Sequence, residues 1–370
     1  MPMNNSATRY LDLTKPPTDL TDTDEAQRDR LITAFRTKQR IIVVAGAGIS
    51  TSARIPAFRS SKDLFAPDDK QHKPMTFGKH LFDAAVYKTD AGTEEFHTMI
   101  CDLAALTAKA EPTPFHLLLA SLAQEGRLLR LYSQNIDCID TKMEPLATKI
   151  PLNSNGPWPT TIQLHGSLGS MVCTKCFHVE TLDAARFNGP QAPPCKTCEH
   201  NEAERKEAGK RSHGIGRLRP RFVLYNEYNP DEDAIDNVWK SDLKSRPDAV
   251  IVVGTSLKVR GAKELVKELC EAVMGRGDGF TAWINIESEP NCGKFKHCWR
   301  MVVKAECDTV AKMVDLAPWN PDIGDDYMIS PEEDLENQRR WRSMNTRMEV
   351  QIPVRQHTSL AHSPDLLPKY

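Results

Sequence analysis

The stretch Ile41–Ser50 reads IIVVAGAGIS, and it decides the fold prediction. A run of branched apolar residues, without the alternation of a half-exposed strand, indicates a strand buried on both faces of a parallel sheet. Two glycines follow, separated only by Ala47. Small residues at a strand-to-helix turn let backbone N–H groups approach a pyrophosphate. The stretch therefore predicts either a nucleotide-binding turn or a tight turn without a ligand, and this motif alone does not decide between them.

The glycine turn differs in two ways from the dinucleotide fingerprint of dehydrogenases. Thr51 stands where a third glycine would complete the pattern. In addition, no convincing acidic residue lies about twenty positions further along to bind the adenosine ribose. Both differences disfavour a classical dehydrogenase.

Similar short apolar runs recur along the chain, with helical patterns between several of them. Thr23 to Lys38 has acidic residues in its first turn and Leu31 and Phe35 on one face, which predicts a helix. Helices are also predicted over Thr113–Glu125 and Gly261–Met274. This alternation predicts an α/β fold with a doubly wound, Rossmann-like parallel sheet. The predicted strands are Ile41–Ala45, Leu128–Ser133, Thr161–Leu164, Phe222–Tyr225, Ala249–Val253, Thr281–Ile286 and Met301–Val303.

Composition divides the chain into a catalytic region with two insertions and two polar ends. We expect a flexible N-terminus over 1–22 and a catalytic domain over 23–318. Within it, 66–110 has helical patterns and no convincing strand, and 166–216 has four cysteines and a charged stretch, EHNEAERKEAGKRSHG, that is typical of a solvated loop. We expect 319–370 to be a largely irregular tail, whose NQRRWRSMNTR is either a nuclear-import patch or a solvated basic stretch.

Bulk properties restrict the class of protein. The 370 residues are 40% hydrophobic and 26% charged, as in globular proteins, and the net charge of -2 gives no strong signal for direct nucleic-acid binding. No apolar run approaches the roughly 20 residues that span a bilayer, and the first residues lack a secretory pattern, so we expect no membrane contact. An intracellular location makes disulfides unfavourable for the ten cysteines.

Two C-x-x-C pairs, CTKC and CKTC, are separated by eighteen residues. Pairs at this separation place four thiolates around one tetrahedral zinc ion, while disulfides or chance are the alternatives. Full sulfur coordination leaves no position for a reactive water, so we expect one structural Zn²⁺. The predicted ligands are Cys173, Cys176, Cys195 and Cys198.

Polar side chains lie at or just beyond the ends of four of the predicted strands. The carboxyl ends of parallel strands form the edge where ligands bind in open α/β sheets. Each set alone has an ordinary structural explanation, such as a helix cap or a turn, but four sets at successive strand ends favour a common site. They are Gln134, Asn135 and Asp137 in SQNID, His165 in LHGS, Gly254, Thr255 and Ser256 in GTSL, and Asn285 and Glu287 in NIE.

The motifs GAGIS…IPAFRS, SQNID, LHGS, C-x-x-C twice, GTSL and IN occur in the order found in sirtuins, the NAD-dependent protein-lysine deacylases. The sequence resembles this family over roughly residues 25–318. The segments LFDAAVYK…FHTMI, GTSLKVRGAKELVKEL and CDTV are similar to the fungal branch that deacetylates histone H3. The resemblance implies a chromatin-silencing and genome-stability enzyme in the nucleus, with the cytoplasm as an additional location. Its implied partners are an acetylated histone H3 tail or core peptide and chromatin proteins.

The resemblance also implies a role for each motif residue. His165 would be the general base that deprotonates a ribose hydroxyl, and an ordinary imidazole pKa of about 6.5 suits this task. Asn135 would position ribose and water, and Asp137 would hold the nicotinamide carboxamide. The products would be nicotinamide, free lysine and O-acetyl-ADP-ribose. The implied NAD-binding residues are Gly46, Ala47, Gly48, Ile49, Phe58, Arg59, Gln134, Asn135, Ile136, Asp137, Gly254, Thr255, Ser256, Asn285, Ile286, Glu287 and Cys307.

The acylated peptide would lie as an added strand along VLYNE, which implies substrate contacts at Val223, Tyr225 and Asn226. The chain departs from the family pattern at a few positions. Arg54 and Asn226 replace glycines, and Ala57 replaces an aspartate. These departures leave three hypotheses: an active deacetylase, a weakened protein that reads acetylated chromatin or binds NAD, and a protein ADP-ribosyltransferase.

Overall fold

The strand Ile41–Ala45 (β2) sends its alternate side chains into two different cores. A computed structural model describes residues 7–56, 78–290, 293–295 and 297–320. Ile42 and Val44 enter one core, while Ile41, Val43 and Ala45 enter the other. Because successive residues of a strand face opposite sides, burial of both sets requires cover on both faces of the sheet. The prediction of a parallel sheet buried on both faces is therefore confirmed.

Seven parallel strands form the main sheet, in the order β1-β10-β9-β8-β2-β3-β4. The chain runs outward from β2 to β3 and β4, and later returns to β8 on the other side of β2. This reversal creates a switch point between β2 and β8, the usual place for a ligand. The strands are β1 Arg9–Asp12, β2 Ile41–Ala45, β3 Leu128–Ser133, β4 Thr161–Gln163, β8 Ala249–Val253, β9 Phe280–Asn285 and β10 Met301–Lys304.

Helices cover both faces of the main sheet, which confirms the doubly wound α/β prediction. Residues of α1, α3 and α7 share the core that contains Val43, and residues of α5 and α6 share the core that contains Val44. The helices are α1 Asp22–Thr37, α2 Asp90–Lys109, α3 Pro114–Gln124, α4 Lys196–Glu207, α5 Glu232–Lys244, α6 Arg260–Met274 and α7 Cys307–Val314. Within the described part of the chain, no helix combines the length and apolar character needed to cross a bilayer.

A smaller antiparallel sheet is formed by the second insertion and the strand that directly follows it, in the order β6-β5-β7. Its strands are β5 Gly166–Cys173, β6 Val179–Thr181 and β7 Leu218–Phe222. The described part of the helical insertion, residues 78–110, contains two short 3₁₀ helices followed by α2. Phe96 of α2 and Phe222 of β7 share a third core, which joins the two insertions.

The expectation of a flexible segment over 1–22 is wrong for Arg9–Asp12, which forms the edge strand β1. Leu11 is 2% exposed and packs into the core that contains Val43. The partner of β1 is β10, with Arg9 opposite Met301. A four-residue strand with one inward apolar side chain gives little periodic signal, and its partner lies almost 300 positions away.

Two further predictions need correction. The predicted strand Phe222–Tyr225 is observed as Leu218–Phe222, in the small sheet rather than the main one. The sequence showed no sign of a strand at this place, because the apolar run is interrupted by Arg219, Pro220 and Arg221. The charged stretch predicted as a loop contains α4 over Lys196–Glu207. Its Glu, Lys and Arg residues favour a helix. Cys195 is the N-cap residue of this helix and Cys198 lies in its first turn, so the cysteine cluster holds the first turn in place.

Candidate active site

The glycine turn after β2 packs against the turn after β8, at the switch point of the sheet. The N–H of Gly46 donates to the Val253 carbonyl (3.0 Å), and the N–H of Gly48 donates to the Gly254 carbonyl (2.8 Å). A Cβ added at Gly48 would lie 2.5 Å from the Gly254 Cα, and Gly254 has a φ of +60°. The missing side chains are thus required by the contact between the turns itself, whether or not a ligand binds.

Ser50, at the end of the glycine turn, connects two of the predicted catalytic residues. Its hydroxyl accepts a hydrogen bond from Nδ2 of Asn135 (3.1 Å) and donates to the Asp137 carboxylate. Burial raises the pKa of Asp137, while hydrogen bonds from the Ile139 N–H (3.0 Å) and Ser50 oppose this change. Since Ser50 is fully buried, it fixes Asn135 and Asp137 relative to the glycine turn.

His165 lies where β4 of the main sheet continues into β5 of the small sheet. The N–H of Leu164 donates to the Ser133 carbonyl at the end of β3 (2.8 Å), and the His165 carbonyl accepts from the Val223 N–H (2.9 Å). Burial lowers the pKa of His165, and a hydrogen bond to the Leu164 backbone partly opposes this change. The imidazole is therefore neutral near pH 7, the state that a general base requires.

Thr255 organises the opposite end of the site. Its hydroxyl accepts from Nε2 of Gln134 (3.0 Å), and its carbonyl accepts from Nδ2 of Asn285 (2.8 Å). These contacts link the ends of β3, β8 and β9. Among the other predicted NAD-binding residues, Ile49, Ile136 and Cys307 are buried, Ala47 and Ser256 are half-buried, and Ile286 and Glu287 are exposed. Phe58 and Arg59 lie outside the described residues, as does Ala57.

The predicted substrate residues follow β7 directly. The Val223 N–H donates a hydrogen bond to the His165 carbonyl. Tyr225 forms hydrogen bonds with the helical insertion through both its N–H and its carbonyl. Asn226 has a φ of +66° and Arg54 a φ of +61°, so both non-glycine departures occupy left-handed positions. The Arg54 residue is exposed. It therefore does not crowd the buried part of the glycine turn.

The four predicted cysteine ligands lie together in the small sheet and at the start of α4. Their Sγ atoms are all within 4.8 Å of one another, and the pairs Cys173–Cys198 and Cys176–Cys195 are 3.7 Å apart. A tetrahedral zinc ion with Zn–S bonds of about 2.3 Å requires S···S distances of about 3.8 Å. The thiols therefore fit a structural zinc ion.

Several residues that hold the site were missed at the sequence level. Thr113, the N-cap of α3, donates its hydroxyl to the Ile49 carbonyl (2.8 Å). Asp308 of α7 accepts from the Ser52 hydroxyl and from the Phe115 N–H. Gly216 passes so close to the zinc site that an added Cβ would lie 2.4 Å from the Cys173 Sγ. Thr113 gave a signal as a helix cap, because it stands directly before Pro114 at the start of the predicted helix, but its bond to Ile49 joins distant segments that no local pattern connects.

Comparison with known proteins places these features in a family. Residues 46–261 match the Sir2 family model. The chain is 49% identical over 338 residues to the NAD-dependent protein deacetylase hst4 of Emericella nidulans, which covers 90% of this chain and 56% of that protein. It is 44% identical over 284 residues to hst4 of Schizosaccharomyces pombe, covering 76% and 68%. It is 40% identical over 266 residues to the NAD-dependent histone deacetylase HST4 of Saccharomyces cerevisiae, covering 70% of each chain.

Solved structures show the same fold. A crystal structure of a Sir2 homolog–NAD complex has a TM-score of 0.55 at 22% identity, over 77% of this chain and 92% of that one. A Sir2 structure bound to acetylated peptide has a TM-score of 0.54 at 21% identity, over 77% of this chain and 96% of that one.

Proposed function

The chain belongs to the Sir2 family of sirtuins, and we propose that it is an NAD-dependent protein deacetylase of the hst3/hst4 type. The observation that carries the proposal is the position of His165. The carbonyl of His165 accepts a hydrogen bond from the N–H of Val223 in the predicted substrate segment. The N–H of the preceding Leu164 donates to the carbonyl at the end of β3, and Asn135 and Asp137 follow that strand. The backbone at His165 thus connects the end of β3 to the predicted substrate segment, which supports a role for its neutral imidazole in the reaction.

In this proposal NAD is a co-substrate that supplies an activated ribose, and the protein positions its reacting groups. Asp137 accepts from the carboxamide of the nicotinamide, and Asn135, held by Ser50, orients the ribose. His165 takes the proton of a ribose hydroxyl while the acetyl group of the lysine is transferred to that sugar. The products are nicotinamide, the free lysine and O-acetyl-ADP-ribose. One water molecule is consumed per turnover, because it completes the release of the lysine amine from the transferred acetyl group. Asn135, which is buried and held by Ser50, would position this water as well as the ribose.

We further propose a lysine on the core of histone H3 as the substrate and the nucleus as the location. This assignment is supported by the name of the yeast relative, a histone deacetylase, and by the resemblance of the helical insertion and of GTSLKVRGAKELVKEL to the fungal branch. Chromatin silencing and genome stability are the corresponding roles. Acetylated H3 peptides and chromatin proteins are the proposed partners.

The test is release of nicotinamide from NAD with and without an acetylated peptide from the H3 core. We expect release to depend on the peptide and to be lost in His165→Ala. The matched control is His200→Ala, which removes an imidazole that is 74% exposed on α4. Peptide binding without release would instead indicate the reader hypothesis, and label transferred from NAD to protein would indicate an ADP-ribosyltransferase.

A further inference from the structure

The segment that follows β7 is held on one side by the helical insertion. The N–H of Tyr225 donates to the Phe82 carbonyl (2.7 Å), and the Tyr225 carbonyl accepts from the Ala84 N–H (3.1 Å). These two bonds form a parallel bridge between Asp83 and Tyr225. The helical insertion therefore engages both backbone hydrogen-bonding groups of Tyr225.

A tight turn ends the segment on the far side of Tyr225. The carbonyl of Leu224 accepts from the N–H of Glu227 (3.2 Å), and the Leu224 N–H donates to the Glu227 carboxylate (3.1 Å). Asn226 is the third residue of this turn and has a φ of +66°, a value that favours Gly, Asn or Asp. The position of the segment is thus decided by its neighbours and not by a continuous sheet.

One side-chain contact joins the turn to the helical insertion. Nδ2 of Asn226 donates to Oδ2 of Asp83 (2.7 Å), and Oδ1 of Asp83 accepts from the Ala85 N–H (2.9 Å). The second bond fixes the carboxylate at the start of the short helix Ala84–Lys88. A glycine at position 226 would adopt the same backbone angle but would lack this contact.

We propose that Asp83 and Asn226 are positioning residues for the acetyl-lysine peptide. Through their contact, the helical insertion holds Val223–Tyr225 at a fixed place beside His165, to which Val223 is bonded. The proposal rests on the deacetylase function proposed above, because it assigns how that site presents its peptide strand. The contact orders the peptide side only, so its loss affects peptide affinity and not NAD affinity.

The experiment exchanges the two partners. Asn226→Asp places two carboxylates at the contact and keeps a residue that tolerates the left-handed backbone. We expect the KM of the acetylated H3 peptide to rise roughly two- to tenfold, the effect of losing one hydrogen bond, while the KM of NAD stays within about twofold. The double variant Asp83→Asn/Asn226→Asp restores a donor and an acceptor, and we expect it to return the peptide KM towards the wild-type value.

Glu94→Gln is the matched control, because it removes an exposed acid from α2 of the same insertion. Binding of a fluorescent acetylated peptide is measured in parallel, since it needs no turnover. A peptide KM and Kd that are unchanged in Asn226→Asp, or that are not restored in the double variant, would overturn the positioning role. If the wild-type protein binds the acetylated peptide but releases no nicotinamide, only the deacetylase proposal is overturned. The ratio of the peptide Kd of Asn226→Asp to that of the wild type would still decide the role of the Asp83–Asn226 contact.

Discussion

Gly48 and Gly254 approach each other closely enough to exclude a side chain at either position. This contact explains the composition of two motifs that are more than 200 residues apart in sequence. The residues around it are equally specific, since Ser50 bonds Asn135 and Asp137, and Thr255 bonds Gln134 and Asn285. At the scale of the residue, the site is therefore a set of short polar contacts built on two glycine turns.

Gly48→Ala tests this contact. A Cβ would lie 2.5 Å from the Gly254 Cα, so the turns have to separate. We expect the free energy of unfolding to fall by about 1–3 kcal/mol and NAD-dependent nicotinamide release to be lost. Chemical denaturation and the release assay measure the two effects. Gly261→Ala, where no atom lies within 4 Å of the added Cβ, is the control, and an equal loss there would refute the explanation.

Asp140 gives a pH-dependent prediction. Burial, and next the charge of Asp137, raise its pKa to about 7 from an ordinary 3.8. Between these values the folded state keeps a proton that the unfolded state releases, so this group makes the protein less stable as pH rises from about 4 to about 7. Asp140→Asn removes the titration.

We therefore expect the free energy of unfolding of Asp140→Asn, measured relative to wild type, to be higher at pH 8 than at pH 4. The increase is at most about 4 kcal/mol, since one pKa unit corresponds to about 1.4 kcal/mol. Chemical denaturation at both pH values measures the difference. Glu144→Gln, an exposed acid on the same segment, should show no such change. Parallel pH curves for wild type and Asp140→Asn would rule out the assigned protonation.

At the scale of the element, the edge strand β1 was the hardest part of the main sheet to foresee, whereas the opposite edge strand, β4, lies within its predicted bounds. β2, β3 and β8 have the predicted bounds because each is a short, mainly apolar run in which nearly every residue is buried. In contrast, β1 buries one side chain and depends on a distant partner. Its existence is decided by pairing, since a strand of four residues has no stability of its own.

Leu11→Ala tests whether β1 is an integral part of the sheet. Leu11 is 2% exposed and packs into the core that contains Val43, so its truncation creates a cavity. We expect a loss of about 2–5 kcal/mol in the free energy of unfolding, measured by chemical denaturation. Tyr10→Ala truncates the neighbouring side chain, which is 61% exposed, and should cost less than about 1 kcal/mol. Equal effects would show that β1 does not pack as described.

At the scale of the molecule, the described residues form two large cores around the main sheet, two smaller ones in the insertions and a minor cluster of Ile55, Ala110 and Ile139. The core of the cysteine-bearing lobe is small and includes Cys173, Cys195 and Cys198 themselves. The two large cores contain none of the four zinc ligands. A zinc ion at the four cysteines would therefore support the lobe that precedes the proposed substrate segment, while the glycine turns rest on a sheet with its own cores.

Zinc removal should consequently loosen one lobe first. With a chelator, we expect amide hydrogen exchange to accelerate in β5, β6, β7 and α4, because structural zinc binding is coupled to folding. We expect the amides of β2, β8 and β9 to stay protected under the same conditions. Mass spectrometry of exchanged fragments measures both regions. Uniform loss of protection, or full protection of both after verified metal removal, would contradict the separation of the two lobes.

The sequence by itself determined the doubly wound sheet, the four-cysteine cluster and the strand-end motifs that belong to the Sir2 family. These features are local: apolar runs define buried strands, and the C-x-x-C spacing already brings the thiols of each pair together. Only the tertiary structure decided how the motifs touch. The bonds from Ser50 to Asn135, from His165 to Val223 and from Asp83 to Asn226 join distant segments. Such contacts depend on the relative placement of whole elements, which no local pattern of residues encodes.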